Sequence, residues 1–213
     1  MILGGQDGLV NVLGIVLGVA AASGDTRILI AASLAATFAE SISMGAVAYT
    51  SSLAEKHHYE KEVERENWEI DYLPDRETRE IRDIYSAKGF SGRLLDEIVA
   101  KVTSDRRIWL DIMMREELDL APIDTRAVLR TSAVVAAAAV VGSLIPVLPF
   151  FFLSREFAIP VAVVAAAAAL FVIGAYEAKS YVGVWWQNGL RLAAIGLTAA
   201  VVGFLIGHLF QAP

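Results

Sequence analysis

Glu66 and Glu69 stand three residues apart, and beyond Pro74 the same spacing returns in Glu77 and Glu80. Residues i and i+3 of a helix project from one face, so each pair offers two carboxylates in one direction. The turn around Pro74 can fold the second pair back toward the first. Four carboxylates facing one another repel, and they neutralise by raised pKa values unless a cation sits among them. In the segment MMREEL, Met113 and Glu117 are i and i+4 and share a face, which adds a thioether and a further carboxylate from a third helix. Carboxylates favour hard cations and thioethers softer ones, so the set suits a borderline divalent ion such as Fe(II) or Mn(II) more than Mg(II) or Ca(II). The same spacing also suits a solvated helix face paired with Arg65, Arg76, Arg79 and Arg82, with Met113 packed beside Trp109 and Ile112. Spacing alone does not choose between these.

Glu40 poses a second question. It lies near the middle of a long apolar stretch, where an ionised side chain costs about 2.5–3.5 kcal/mol on insertion scales. Met44 follows one turn later on the same face, with Ser41 and Ser43 nearby. Carboxylate plus thioether repeats the donor types found around Glu66. The alternative is a protonated carboxyl hydrogen-bonded between helices, but intramembrane acids usually face a pathway or cavity. Asp7 opens an earlier apolar stretch, where it serves equally well as an N-cap or as a pore position.

These residues sit in a chain of 213 residues that is 56% hydrophobic, with mean hydropathy +0.54. That is too apolar for an ordinary soluble domain. Charge is concentrated: 19 of the 24 acidic and 13 of the 18 basic residues fall between Glu55 and Arg126. The pattern is that of a membrane protein with one polar insert. A bilayer core of about 30 Å needs roughly 20 helical residues, and the segments Gly8–Gly24, Ile28–Leu53, Thr131–Leu153, Phe157–Tyr176 and Leu192–Phe210 are candidates. The first resembles a signal peptide at Ala20-Ala21-Ala22, yet residues 1–7 hold no Lys or Arg, so it reads as a true span. The expected division is 1–54 for the first two spans, 55–126 for the insert and 127–213 for the last three. Lys and Arg gather in the insert, at Arg126 and Arg130, and at Lys179 and Arg191, against Arg27 and Arg155 on the other side. The positive-inside bias places the insert and the N-terminus in the cytosol.

The second span runs into the insert without a Pro or Gly break after Gly45, which predicts one long helix ending between Asp71 and Pro74. Pro74 suits the first turn of the next helix, which reads to Lys88 and stops at Gly89. Ser91 and Asp105 are candidate N-caps for the two helices that follow. Gly14 with Gly18, and Gly203 with Gly207, form GxxxG pairs. Small residues at that spacing suit close helix contact, including a contact between two copies through the first span, although glycine and alanine are common throughout these spans.

Several function classes are excluded. Without cysteine there is no disulfide, thiolate zinc site or iron–sulfur cluster. The net charge of -6 attracts cations and not nucleic acid, and no aromatic RNA-binding pattern is present. No HExxH, Walker loop or GxSxG appears, so no enzyme activity is expected. His57 and His58, at the start of the insert, read as solvated histidines. Glu177 and Lys179 read as interfacial, and His208 carries little signal.

Taken together, DGLVNVLGIVLGVA, SISMGAVAYTSS, WLDIMMREELDL, GSLIPVLPF and GLRLAAIGLTAAVVGFLIG resemble the vacuolar iron transporter family over almost the whole chain. The resemblance implies an all-α membrane protein, with five transmembrane helices, a helical cytosolic metal-binding insert between spans 2 and 3, and assembly as a homodimer. It implies export of Fe(II) and related ions from the cytosol in exchange for protons, across a vacuolar membrane or a prokaryotic plasma membrane, with the metal as transported substrate and no permanently bound cofactor. Its metal ligands fall here on Glu66, Glu69, Glu77, Glu80, Met113 or Met114, and Glu117, with Glu116 as the neighbour if the third helix is rotated. Its translocation residues fall on Asp7, Glu40 and Met44. The chain departs from the family at Val47-Ala48-Tyr49, where many members carry Gly-Glu-Tyr, so one carboxylate near the cytosolic mouth is lost. The resemblance further leads to the expectation of an N-terminal extension shorter than the family's.

Two other classes compete. A membrane-anchored metal sensor or store would keep the insert's site but has no need of an intramembrane acid, so Glu40 argues against it. A membrane di-iron oxidase would want Glu-x-x-His pairs, which His57 and His58 do not supply.

Overall fold

The computed structural model describes residues 2–180 and 183–210, with side chains from residue 4 onward. Among the described residues the chain is helical and contains no strand: α1 (Ile2–Ala22), α2 (Thr26–Tyr72), α3 (Pro74–Ala87), α4 (Gly92–Thr103), α5 (Arg106–Ile112), a π-helical turn (Met113–Glu117), α6 (Thr125–Val147), α7 (Pro149–Phe152), α8 (Arg155–Ser180) and α9 (Trp185–Leu209). The chain forms two compact units, Met1–Tyr49 with Leu129–Pro213, and Thr50–Val128, and α2 contributes to both.

In the first unit α1 is the shared element. Leu9, Leu13 and Leu17, spaced by one turn, pack with Ala166 and Leu170 of α8 and with Leu192 and Ala200 of α9. Val12, Val16 and Ala20 form a second stripe, against Leu29, Val147, Phe150, Ala158 and Ala162. A helix with two apolar stripes is buried on most sides. The guanidinium of Arg155 donates to the Ala20 carbonyl and so satisfies a free acceptor at the end of α1.

Five helices are long and apolar enough to cross a membrane, and only 17 to 39% of their apolar windows is buried within the chain. Phe38, Ile42, Val141, Phe157, Val164, Val172 and Val201 all face outward. That surface would drive aggregation in water but is the ordinary boundary of a protein in hydrocarbon. The fold is an all-α membrane fold. Some ends differ from the sequence expectation. The third span stops at Val147, with Pro146 in its last turn, and Pro149 begins the separate α7. The last helix starts at Trp185, well before Leu192.

Asp7 is not an N-cap, because α1 begins at Ile2 and carries Asp7 in its interior. Gly4 and Gly5, poor helix formers, are helical because their bare backbones lie against Val135 and Ala138 of α6. Packing overrides propensity here. The GxxxG pairs also find their partner inside the chain: a Cβ on Gly203 would overlap the Gly14 carbonyl oxygen, and one on Gly207 would overlap that of Gly18. These glycines serve the α1–α9 contact, so they are not evidence for a contact between copies.

In the second unit, Ile70, Ile81, Leu95, Val99, Val102, Trp109 and Met113 form one apolar cluster that ties α2 to α3, α4, α5 and the π-helical turn. Pro74 occupies the start of α3, as its missing N–H favours. Gly89 follows α3 with φ +95°, a conformation that glycine adopts without strain. Asp105 caps α5 by accepting from the Arg107 N–H at 2.9 Å, whereas the Ser91 hydroxyl makes no capping bond.

Because the obstructing atom at position 207 is a backbone oxygen, Gly207→Ala must push α1 and α9 apart. Overpacking of this kind costs about 1–3 kcal/mol. The expected result is a lower Tm in detergent for Gly207→Ala, and little change for Gly24→Ala, where the nearest atom is a guanidinium nitrogen of Arg155 at an ordinary contact distance of 3.6 Å.

Candidate metal centre

Pro74 ends α2 just after its glutamates and starts α3 just before the next pair, so the two helices present their carboxylates to each other. Oxygens of Glu66, Glu69 and Glu77 all lie within 4.8 Å of one another, and so do oxygens of Glu77, Glu80 and Glu117. Glu77 belongs to both groups. The two triads form one cluster of five carboxylates, contributed by α2, α3 and the π-helical turn.

Burial separates this cluster from a solvated face. Glu66 and Glu77 are 0% exposed. Among the described residues, one oxygen of Glu66 and both oxygens of Glu77 meet no hydrogen-bond donor. Buried polar groups in native folds nearly always have partners, and a buried carboxylate without one is costly. The arginines do not fill the gap. Arg65 reaches Glu62 at 2.8 Å, Glu66 at 3.2 Å and Glu69 at 3.8 Å from the half-exposed rim. Arg76 pairs with Glu80 at 3.0 Å. Arg82 turns instead to Asp96 at 2.7 Å. None of these ion pairs reaches Glu77, the residue that the two triads share.

The electrostatics follow from that crowding. Burial first, and then the charges of Glu80, Glu66 and Glu69, push the Glu77 carboxyl up to about 7. Glu117 is pushed up to about 7 by loss of solvation around its carboxyl and by Glu80 and Glu66, although the residue as a whole is exposed. Glu66 is also raised, by burial and by Glu69, with Arg65 opposing.

The third helix holds a feature that α-helical spacing did not anticipate. From Met113 to Glu117 the backbone is π-helical, with the Leu118 N–H bonding the Met113 carbonyl at 3.2 Å. This wider turn, a form found mostly at functional sites, buries two consecutive side chains, Met113 and Met114, while Glu117 reaches the carboxylates. Met113 lies in the apolar cluster with Ile70, Ile81 and Trp109. Met114 is equally buried but outside that cluster. Glu116 points elsewhere, into an ion pair with Lys88.

The membrane unit holds the other predicted residues. Glu40 of α2 accepts a hydrogen bond from the Asn11 side-chain amide of α1 at 2.6 Å, and the Asp7 carboxyl is within hydrogen-bonding reach of Glu40. Asp7 and Met44 line a cavity of about 360 Å3 with Gln6, Val10 and Ile195. The structure thus brings Asp7 to Glu40, and Asp7 to Met44. Asn11 was missed by the sequence reading, although its place one turn after Asp7 in an apolar helix was a signal. His58 pairs with Glu62 at 3.7 Å, and His208 stacks on Phe204. Neither joins a cluster of possible ligands.

A model of the VIT family matches residues 1–208. The chain belongs to the VIT family. Similar relatives include "Vacuolar iron transporter 2" of Oryza sativa subsp. japonica, 32% identical and covering 96% of this chain and 83% of the relative. "Vacuolar iron transporter 1" of Arabidopsis thaliana is 30% identical over 99% of this chain and 85% of its own length. "Vacuolar iron transporter" of Centaurea cyanus is 32% identical over 96% and 84%. This VIT-family chain is a multi-pass membrane protein.

Two outcomes follow for this VIT-family chain. A carboxyl whose pKa is higher in the folded than in the unfolded state binds protons that unfolding releases. Stability of the metal-free protein therefore falls as pH rises from 4.5 to about 7 and levels off above that. Thermal melts across this window should show the fall, and added Mn(II) should reverse it most at the upper end, where protons no longer compete. Glu77→Gln should raise the metal-free Tm at neutral pH while weakening divalent-cation binding by about tenfold or more, ~1.4 kcal/mol. Glu116→Gln, outside both triads, should leave binding by calorimetry unchanged.

Proposed function

We propose that the chain transports Fe(II), and Mn(II) with it, out of the cytosol in exchange for protons. The observation that carries this is the pair of buried glutamates, Glu66 and Glu77, with oxygens that no donor meets and that share a centre with Glu69, Glu80 and Glu117. The charge of a divalent ion would offset the crowded carboxylates of such a centre. Relatives named for vacuolar iron transport support iron as the cargo. A thioether from Met114, buried outside the apolar cluster, would add a softer donor to these carboxylates and favour Fe(II) and Mn(II) over Ca(II) or Mg(II).

Direction is supported by the basic residues. The positive-inside bias puts the insert and the N-terminus in the cytosol, so the acidic cluster collects ions on that side. Asp7, Glu40 and Met44 then form the intramembrane station, and protons compete with the cation for its carboxylates. Dimer assembly is supported by position: Asp7 and Asn11 are exposed on a membrane-spanning helix, where contact with lipid is costly. A second copy across this face would shield both polar side chains.

Fe(II) uptake into proteoliposomes, with and without a pH gradient, tests the function. The parent should transport faster with the gradient, and Glu40→Ala should lose most of the flux while still binding metal in the insert. Binding without any uptake by the parent would mean a metal-storing or metal-sensing membrane protein instead.

A further inference from the structure

Asn11 sits inside α1, one turn after Asp7, and its side chain is exposed on a span whose remaining residues toward Ala22 are all apolar. A carboxamide there costs free energy unless it serves a partner. Its partner is across the helix contact: Nδ2 donates to Oε1 of Glu40 at 2.6 Å. Asp7 reaches the same carboxyl, and Met44 follows Glu40 by one turn of α2. Asn11 therefore stands where the donors of α1 meet those of α2.

Its chemistry differs from that of its neighbours. An amide N–H that holds one carboxylate oxygen fixes the direction of the other. The carboxamide oxygen of Asn11 accepts no hydrogen bond from the described residues. It is a hard donor that carries no charge. Two ionised carboxylates, Asp7 and Glu40, match the charge of a divalent ion. A third acid at position 11 would leave an excess negative charge and hold the ion more tightly than a carrier can release it.

We propose that Asn11 is a positioning and affinity-setting residue of the intramembrane site: its amide N–H fixes the Glu40 carboxylate across the α1–α2 contact, and its carboxamide oxygen is a neutral ligand for the divalent cation. This rests on the transport reading above. The bland alternative is an interhelical hydrogen bond that only holds α1 to α2. A merely structural bond affects folding and the amount of active protein, and both substitutions then move flux in the same direction without a change in KM.

Uptake of Fe(II) and Mn(II) by the full chain in proteoliposomes separates these, with monodispersity and metal binding by the insert measured on each variant. Asn11→Ala removes both the fixing donor and the neutral ligand. A hydrogen bond to a charged group is worth enough to raise KM about tenfold or more. Asn11→Asp, of equal size, also loses the fixing donor, but the added charge on the ligand should outweigh that loss and lower KM and the maximal rate together. Opposite shifts in KM for the two variants support the proposal. Unchanged KM in Asn11→Ala, beside a parent that transports, overturns it alone. If Asn11→Ala does not fold, Asn11→Asp with KM and maximal rate equal to the parent overturns it equally. A parent that moves neither ion overturns the transport reading, and this inference with it.

Discussion

Crowded negative charge without a donor is the constraint from which the insert is built. Glu66 and Glu77 lie fully buried with three oxygens unmet, while Glu69, Glu80 and Glu117 crowd the same space. A protein shaped only for its own stability would neutralise or expose such groups. Here the surroundings hold them in place. Ile70 and Ile81, on the two helices that carry the glutamate pairs, anchor those helices in the apolar cluster, and Trp109 and Met113 anchor the third element. Arg65 and Arg76 engage the rim and leave the centre open. The strain shows in the carboxyls of Glu77 and Glu117, pushed up to about 7. The apolar cluster holds these carboxyls together, and a divalent cation is the partner proposed to offset their charge.

The membrane unit solves a different problem with the same economy. Between apolar helices in lipid there is little hydrophobic gain, so association depends on close backbone packing. Gly14 and Gly18 against Gly203 and Gly207 supply it, and Gly5 against Gly142 does so at the other end of α1. With α1 fixed this way, its polar residues Asp7 and Asn11 are held against Glu40. Small residues position the helix, and the polar ones meet across its contact with α2.

Much of this was legible in the residues. Length and hydropathy located the five long apolar helices, because crossing a bilayer demands apolar runs of roughly 20 helical residues. Pro74 marked the break between the two glutamate-bearing helices, and Asp105 its cap, because both act through local covalent and hydrogen-bond geometry. Features set by distant contacts were not legible. The interior place of Asp7 depends on Gly4 and Gly5 meeting α6, which no local propensity reveals. The π-helical turn inserts Met114 beside Met113 on the buried side, and only the packing of neighbouring helices calls for it. The pairing of Glu116 with Lys88 removes one of two adjacent glutamates from the cluster, a choice that spacing left open. The glycine pairs were visible, but whether they met another helix of the same chain or a second copy was not.

The central claim is that a divalent cation belongs among the buried carboxylates. Anomalous diffraction at the manganese edge, from crystals of the full chain grown with Mn(II), tests it most directly. The account predicts anomalous peaks bounded by Glu66, Glu69 and Glu77 or by Glu77, Glu80 and Glu117, with Glu77 contributing an oxygen. Peaks confined to exposed acids such as Asp96 and Glu97, with none touching Glu77, would contradict it.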